Sequence, residues 1–195
     1  GDLNKGFSPG YSTMGGASVS LSDFNLLNSA NPASYSKMLQ HMPVFELDGF
    51  SQFLNLSSVS DSGKMAATTF TRLAIGIPVN KRLGVSIGML PYTTTGYDIT
   101  STNQEPGIGN VSYVFNGKGG INKAYLGGGY SFIDKDSIQL SLGVNFGFLL
   151  GNIEKSRRVE YPDDDVALNS LLSQKTGYYG FNFDLGLLYN QKISS

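Results

Sequence analysis

From Ser137 to Phe148 the chain alternates without a break. Ile138, Leu140, Leu142, Val144, Phe146 and Phe148 fall on one parity, with Leu150 beyond them. Ser137, Gln139, Ser141, Gly143, Asn145 and Gly147 fall on the other. A helix would scatter these two sets around its axis, whereas a strand sends them to opposite faces. The alternating run also matches the about 9–11 residues with which a tilted strand crosses a membrane.

The same design recurs along the chain. Leu83, Val85, Ile87 and Met89 oppose Gly84, Ser86 and Gly88, and Leu73, Ile75 and Ile77 oppose Arg72, Ala74 and Gly76. Tyr179, Phe181, Phe183, Leu185, Leu187 and Tyr189 oppose Gly180, Asn182, Asp184 and Gly186. Phe45 and Leu47 oppose Glu46 and Asp48, while Ala124, Leu126, Tyr130 and Phe132 share one face. The polar faces hold Gly, Ser, Asn and isolated charges. A soluble sandwich would fill its wet face with charge, so this pattern favours a membrane barrel with apolar residues outside and a polar interior.

The links agree with that reading. Val79–Gly84 and Ile133–Ser137 are short, whereas Leu56–Met65, Thr100–Gly109 and Ile153–Lys175 are long. Short and long alternate once Val111–Phe132 is read as one strand kinked at Gly117–Gly120. The expected fold is therefore all-β, an antiparallel transmembrane β-barrel with about six strands in this chain. Residues 43–195 supply the strands, and residues 1–42 form an irregular N-terminal segment. Val166, Leu168, Leu171 and Leu172 recur at helical spacing, which predicts a short helix in the last long loop. Pro162 and Asp163–Asp165 suit its N-terminus.

Composition sharpens the picture. The chain has 195 residues and 25 glycines, and its charged fraction of 15% is low for a globular domain. A net charge of −1 argues against nucleic-acid binding. The absence of Cys removes disulfides and thiolate metal sites. The first residue is Gly1, which reads as a mature or trimmed N-terminus.

Residues 10–38, "GYSTMGGASVSLSDFNLLNSANPASYSKM", have no sustained period yet contain Phe24, Leu26 and Leu27. With the "MGGA" turn at Met14–Ala17, the small-residue run Ser20–Asp23 and "NPA" at Asn31–Ala33, this stretch resembles the start of the FadL family of outer-membrane barrels. The resemblance implies a 14-stranded barrel of which this chain holds part, and residues 1–42 as a hatch inside it. It also implies that Phe24, Leu26 and Leu27 pack against the lumen wall and one another, contributing to a pocket for a hydrophobic compound. Some members of that family serve instead as subunits of secretion machinery.

Catalytic and metal motifs fare poorly. "GFSPG" at Gly6–Gly10 matches a nucleophile elbow, but Pro9 lacks the N–H that the oxyanion hole requires. His41 stands alone just before the first strand and suits a membrane-interface boundary better than general base catalysis. Asp163–Asp165 lack the alternation and central Gly of a calcium loop, and Gly117–Gly120 completes no phosphate-loop pattern. No enzyme, metal or cofactor is expected.

Glu46, Asp48, Arg72, Asn145 and Asp184 all lie on the polar parity and are expected to face the lumen. Pairing of Arg72 with Glu46 or Asp48 is favoured over ligand contact. The functional expectation is a FadL-type barrel of the bacterial outer membrane that binds or passes a small hydrophobic compound. The alternative is a non-transporting barrel, the scaffold or accessory subunit of an outer-membrane protein complex. Membrane lipid and a protein partner are the expected contacts. A soluble β-barrel binding module is the remaining reading from another class.

Overall fold

The alternating segments become strands and pair in the order in which they leave the chain. The computed structural model describes residues 2–3, 19–57, 62–106, 109–135, 137–161 and 169–191. A two-residue strand β1 (Asp2–Leu3) precedes a 3-10 helix (Pro32–Lys37). Six long strands follow: β2 (Val44–Ser57), β3 (Ser62–Pro78), β4 (Leu83–Glu105), β5 (Gly109–Asp134), β6 (Ile138–Glu160) and β7 (Ser170–Gln191). They form an antiparallel sheet in the order β2-β3-β4-β5-β6-β7, and it is not closed.

Two short turns have clear local causes. After β3, the Asn80 side-chain oxygen accepts from the backbone N–H groups of Arg82 (2.8 Å) and Leu83 (2.9 Å), closing an Asx turn. After β5, Lys135 and Ile138 exchange backbone hydrogen bonds of 3.0 and 3.2 Å. As the alternation implied, β5 is continuous through Gly117–Gly120. Gly119 has φ +124°, and its missing Cβ leaves room for the Asn152 carbonyl.

Three expectations need correction. The strands run past the apolar alternation, so the long links shrink: β2 reaches Ser57, β4 reaches Glu105, and β6 reaches Glu160. Polar residues extend the ladders because backbone pairing needs no apolar side chain, and hydroxyls can pair across it. Ser51 meets Thr68, and Thr102 meets Ser112, each at 3.1 Å. Leu171 and Leu172 belong to β7 and not to a helix. Pro162–Leu168, where that helix was to begin, lies outside the described residues, as do Gly6–Gly10 and Met14–Ala17. Finally, Asp2 and Leu3 join the sheet, opposite Thr94 and Thr93 of β4.

The chain divides into two compact units. One comprises Gly1–Asn4, Tyr92–Asn122 and Leu149–Gly180. Within it the β4–β5 pair carries the Thr102–Ser112 contact, and the Arg157 guanidinium lies 5.7 and 5.6 Å from the ring centroids of Tyr113 and Phe115. The other unit comprises Lys5–Pro91, Lys123–Phe148 and Phe181–Ser195. In this second unit the sheet has a bare apolar face and a covered polar one. Leu185 is 84% exposed and Leu142 is 42% exposed, while Asn145 and Ser141 are fully buried. This inverts the arrangement of a water-soluble sheet, whose apolar face is the buried one. No helix among the described residues is long and apolar enough to cross a membrane.

Candidate functional site

The covered face of the second unit carries an irregular segment, Val19–Met42, and the contact between them is the most elaborate polar arrangement among the described residues. Its entry is set locally. Asn31 caps the 3-10 helix by accepting from the Ala33 N–H (3.2 Å), and Pro32 begins the helix. The Asn31 amide also donates to the carbonyls of Val19 (2.8 Å) and of Leu187 in β7 (3.1 Å). The "NPA" element is thus both a helix start and a fastening to the sheet.

Glycine supplies the seat. A Cβ at Gly129 of β5, Gly143 of β6 or Gly186 of β7 would overlap Asn31, Pro32 or Ala33. These three positions form a trough in which the helix start lies directly on the sheet backbone. Beside it Ser36 donates to the Ser141 hydroxyl at 2.9 Å. Lys37 donates to Gln139, and partial burial lowers its pKa, with Asp134 opposing that shift.

Two charged clusters clamp the rest. Arg72 on β3 pairs with Glu46 and, through Nε at 3.2 Å, with Asp48, both on β2. The same pair grips one residue of the irregular segment by its backbone. The Leu27 N–H donates to Glu46 Oε1 at 2.7 Å, and the Leu27 carbonyl accepts from Arg72 Nη1 at 2.8 Å. Burying charge is costly unless each group is hydrogen-bonded, and here the peptide group of Leu27 meets part of that requirement. In the second cluster, Asn145 donates to the Ser29 carbonyl (3.0 Å) and to Asp184 Oδ2 (3.3 Å), and Lys123 pairs with Asp184.

All five expected polar residues therefore lie on the covered face, in two groups. Arg72, Glu46 and Asp48 form one, while Asn145 and Asp184 form the other. Sequence reading passed over Lys123, although its parity, opposite Ala124 and shared with Tyr125, placed it on this face. It also passed over Tyr35 and Tyr125, which join Leu27, Met38, Ala74 and Leu90 in the apolar core. The trio Phe24, Leu26 and Leu27 does not act together. Leu27 is 1% exposed, Leu26 is half-buried, and Phe24 is 48% exposed. Asp23 and Leu26 form a bridge of their own, which closes a tight turn around Phe24 and leaves its ring outside the core.

The clamped groups are committed to one another and to the segment's backbone, an arrangement suited to holding that segment in place. Among the described residues no group of three or more His, Cys, Asp or Glu could hold a metal ion.

The second unit is thus of the class of antiparallel β proteins whose apolar face is bare and whose polar face is covered by its own chain. The whole chain, residues 1–195, matches the family model BamG, and it belongs to the BamG family. That family is associated with the BAM complex of the bacterial outer membrane. No curated protein and no solved structure matches the chain. Membership in BamG overturns the FadL assignment, and with it the transport of a hydrophobic ligand. The "NPA" element misled because an Asn-Pro helix start serves any segment seated closely on a sheet.

Proposed function

We propose that this protein is a non-enzymatic accessory subunit of the BAM complex, held in the outer membrane by its strands. Membership of the full chain in the BamG family is the observation that carries this reading. On it, the bare apolar face meets lipid or neighbouring subunits, the six strands form one wall of a closed barrel, and residues 1–42 are its internal hatch. The outward Phe181, Phe183 and Leu185, each 67% exposed or more, support a bilayer-facing surface, since soluble proteins rarely leave so continuous an apolar patch bare. The buried polar clamps support a fixed hatch, because their ion pairs hold its backbone.

The test is affinity purification of the tagged protein from outer membranes in mild detergent. BAM subunits should co-purify in stoichiometric amounts, and depletion of the protein should lower the yield of folded outer-membrane barrels. Purification free of BAM subunits, with barrel yields unchanged on depletion, would reject the proposal.

A further inference from the structure

The "GGG" run of β5, Gly127–Gly129, is only partly explained by the seat of the irregular segment. A Cβ at Gly127 would overlap Asn145, and one at Gly129 would overlap Pro32, so both glycines serve the covered face. Gly128 lies between them on the bare face. A Cβ there would meet only the Gly84 carbonyl at 3.8 Å and a Val85 methyl at 4.0 Å, which is ordinary contact, and its φ is not positive. Neither packing nor backbone geometry asks for glycine here. Yet in the alternating outward rows from Leu83 to Met89, Ala124 to Phe132 and Ile138 to Phe148, it is the one residue without a side chain. Two adjoining hollows share the gap. One, of about 440 Å³, lies among Leu83, Tyr130, Phe132 and Leu142, and the other, of about 360 Å³, lies among Val85, Leu126 and Phe146. They sit on β4, β5 and β6, which have neighbours on both sides in the sheet, so no sheet edge creates them.

The groove ends at a cationic turn. The Arg82 carbonyl accepts from the Ser131 N–H at 2.8 Å, which sets the β3–β4 turn beside Tyr130 and Phe132. That turn, Val79–Leu83, carries Lys81 and Arg82 and no acid. Both cations are exposed, and neither forms an ion pair among the described residues. The neighbouring β5–β6 turn holds Lys135 between Asp134 and Asp136, so the positive surplus sits at Lys81 and Arg82. The Tyr130 and Phe132 rings pack edge to face, 4.9 Å between centroids, as aromatic residues do where a membrane strand reaches the headgroups. We infer that this groove seats one acyl chain of an anionic phospholipid, whose phosphate is held by Lys81 and Arg82. The two ends of the groove select that occupant. An apolar channel leading to unpaired cations fits an amphiphile with an anionic head, whereas an apolar peptide would fill the channel and leave the cations unmet. Length agrees as well. Leu126–Phe132 covers about 20 Å of strand, which at the tilt of a membrane strand descends about 15 Å, one leaflet's share of the hydrocarbon core. The inference rests on the membrane placement of the bare face and not on the BAM partners.

The experiment is photo-crosslinking of the full chain in detergent with phosphatidylglycerol that carries a diazirine in one acyl chain, the adducts being mapped by tandem mass spectrometry. Adducts should concentrate at Leu83, Tyr130, Phe132 and Leu142. Unlabelled phosphatidylglycerol should displace the probe about 30-fold better than phosphatidylcholine of the same chains, the preference that two basic residues supply. Replacing Lys81 and Arg82 together by Ala should erase that preference, and Gly128→Leu should remove the adducts by filling the floor. If Gly128→Leu does not fold, the adduct map of the unmodified chain decides. Equal displacement by the two lipids overturns the headgroup assignment. Adducts as frequent at Leu47 of β2 as in the groove reject the seat and keep the membrane placement of the bare face. A bare face without any adduct rejects both. Adducts present in the chain alone but lost in the complex purified from its native membrane identify a partner subunit as the occupant and overturn the lipid assignment.

Discussion

Arg72 is the charge on which the polar face turns. It is 1% exposed, and it meets Glu46, Asp48 and the Leu27 carbonyl together. Arg72→Ala leaves Glu46 and Asp48 without their counter-charge and should cost about 3–5 kcal/mol, as when one member of a buried ion pair is removed. Glu46→Gln keeps an acceptor for the Leu27 N–H and leaves Arg72 with Asp48, so its loss should be nearer 1–2 kcal/mol. Denaturant unfolding in detergent distinguishes them, and equal losses would refute the shared clamp. A second residue-scale effect concerns pH. Burial raises the Tyr35 pKa well above its ordinary value near 10, and Tyr125 adds to the shift. Above pH 10 the unfolded chain releases this proton while the folded chain retains it. The associated stability is therefore complete below pH 10 and is lost as pH rises through the folded value. Tyr35→Phe should flatten the alkaline limb of stability against pH, and an unchanged limb would show that Tyr35 does not set it.

At the scale of elements, the trough of glycines decides whether the irregular segment can lie on the sheet. Gly143→Ala puts a methyl into the backbone of Pro32 and Ala33 and should destabilise by about 1–3 kcal/mol through overpacking. Gly96→Ala, also in a strand, projects into open space and should change stability by no more than about 0.5 kcal/mol. Comparable urea midpoints for the two variants would contradict the seat. Strand parity was legible from sequence because bare and covered positions differ in residue class, as Leu142 and Asn145 do. Strand ends were not. Thr102 fell in a predicted link, and it is its partner Ser112 across the ladder that marks it as strand. Leu171 and Leu172 show the same limit, since helical spacing over a short run carries no information about the neighbouring strand β6.

For the whole molecule, the bare face of the sheet is the feature with the largest consequence. If it faces a bilayer, Leu185→Phe should fold into lipid vesicles as the parent does, because lipid accommodates the larger side chain. Leu185→Arg should lose about 2–4 kcal/mol near the bilayer midplane. Heat-modifiable gel mobility after refolding reads both. Failure of Leu185→Phe combined with normal folding of Leu185→Arg would show that this face packs against a close-fitting protein surface.

The sequence by itself determined the β class, the six long strands, the shared face of Glu46, Asp48, Arg72, Asn145 and Asp184, and the irregular character of the segment Val19–Met42. All of these follow from one-dimensional alternation and its interruption. It placed Arg72 opposite two acids but could not say that the three would close on Leu27, because hydrogen bonds across 19 and 45 residues leave no local periodicity. Nor could it distinguish Leu27 from Phe24, both large and apolar, of which only Leu27, packed over Gly76, is buried. Tertiary structure alone decided that β4 pairs with β3 at Gly84–Met89 and with β1 at Thr93–Thr94. Backbone donors and acceptors are the same at every residue other than proline, so which strand satisfies them is written only in three dimensions.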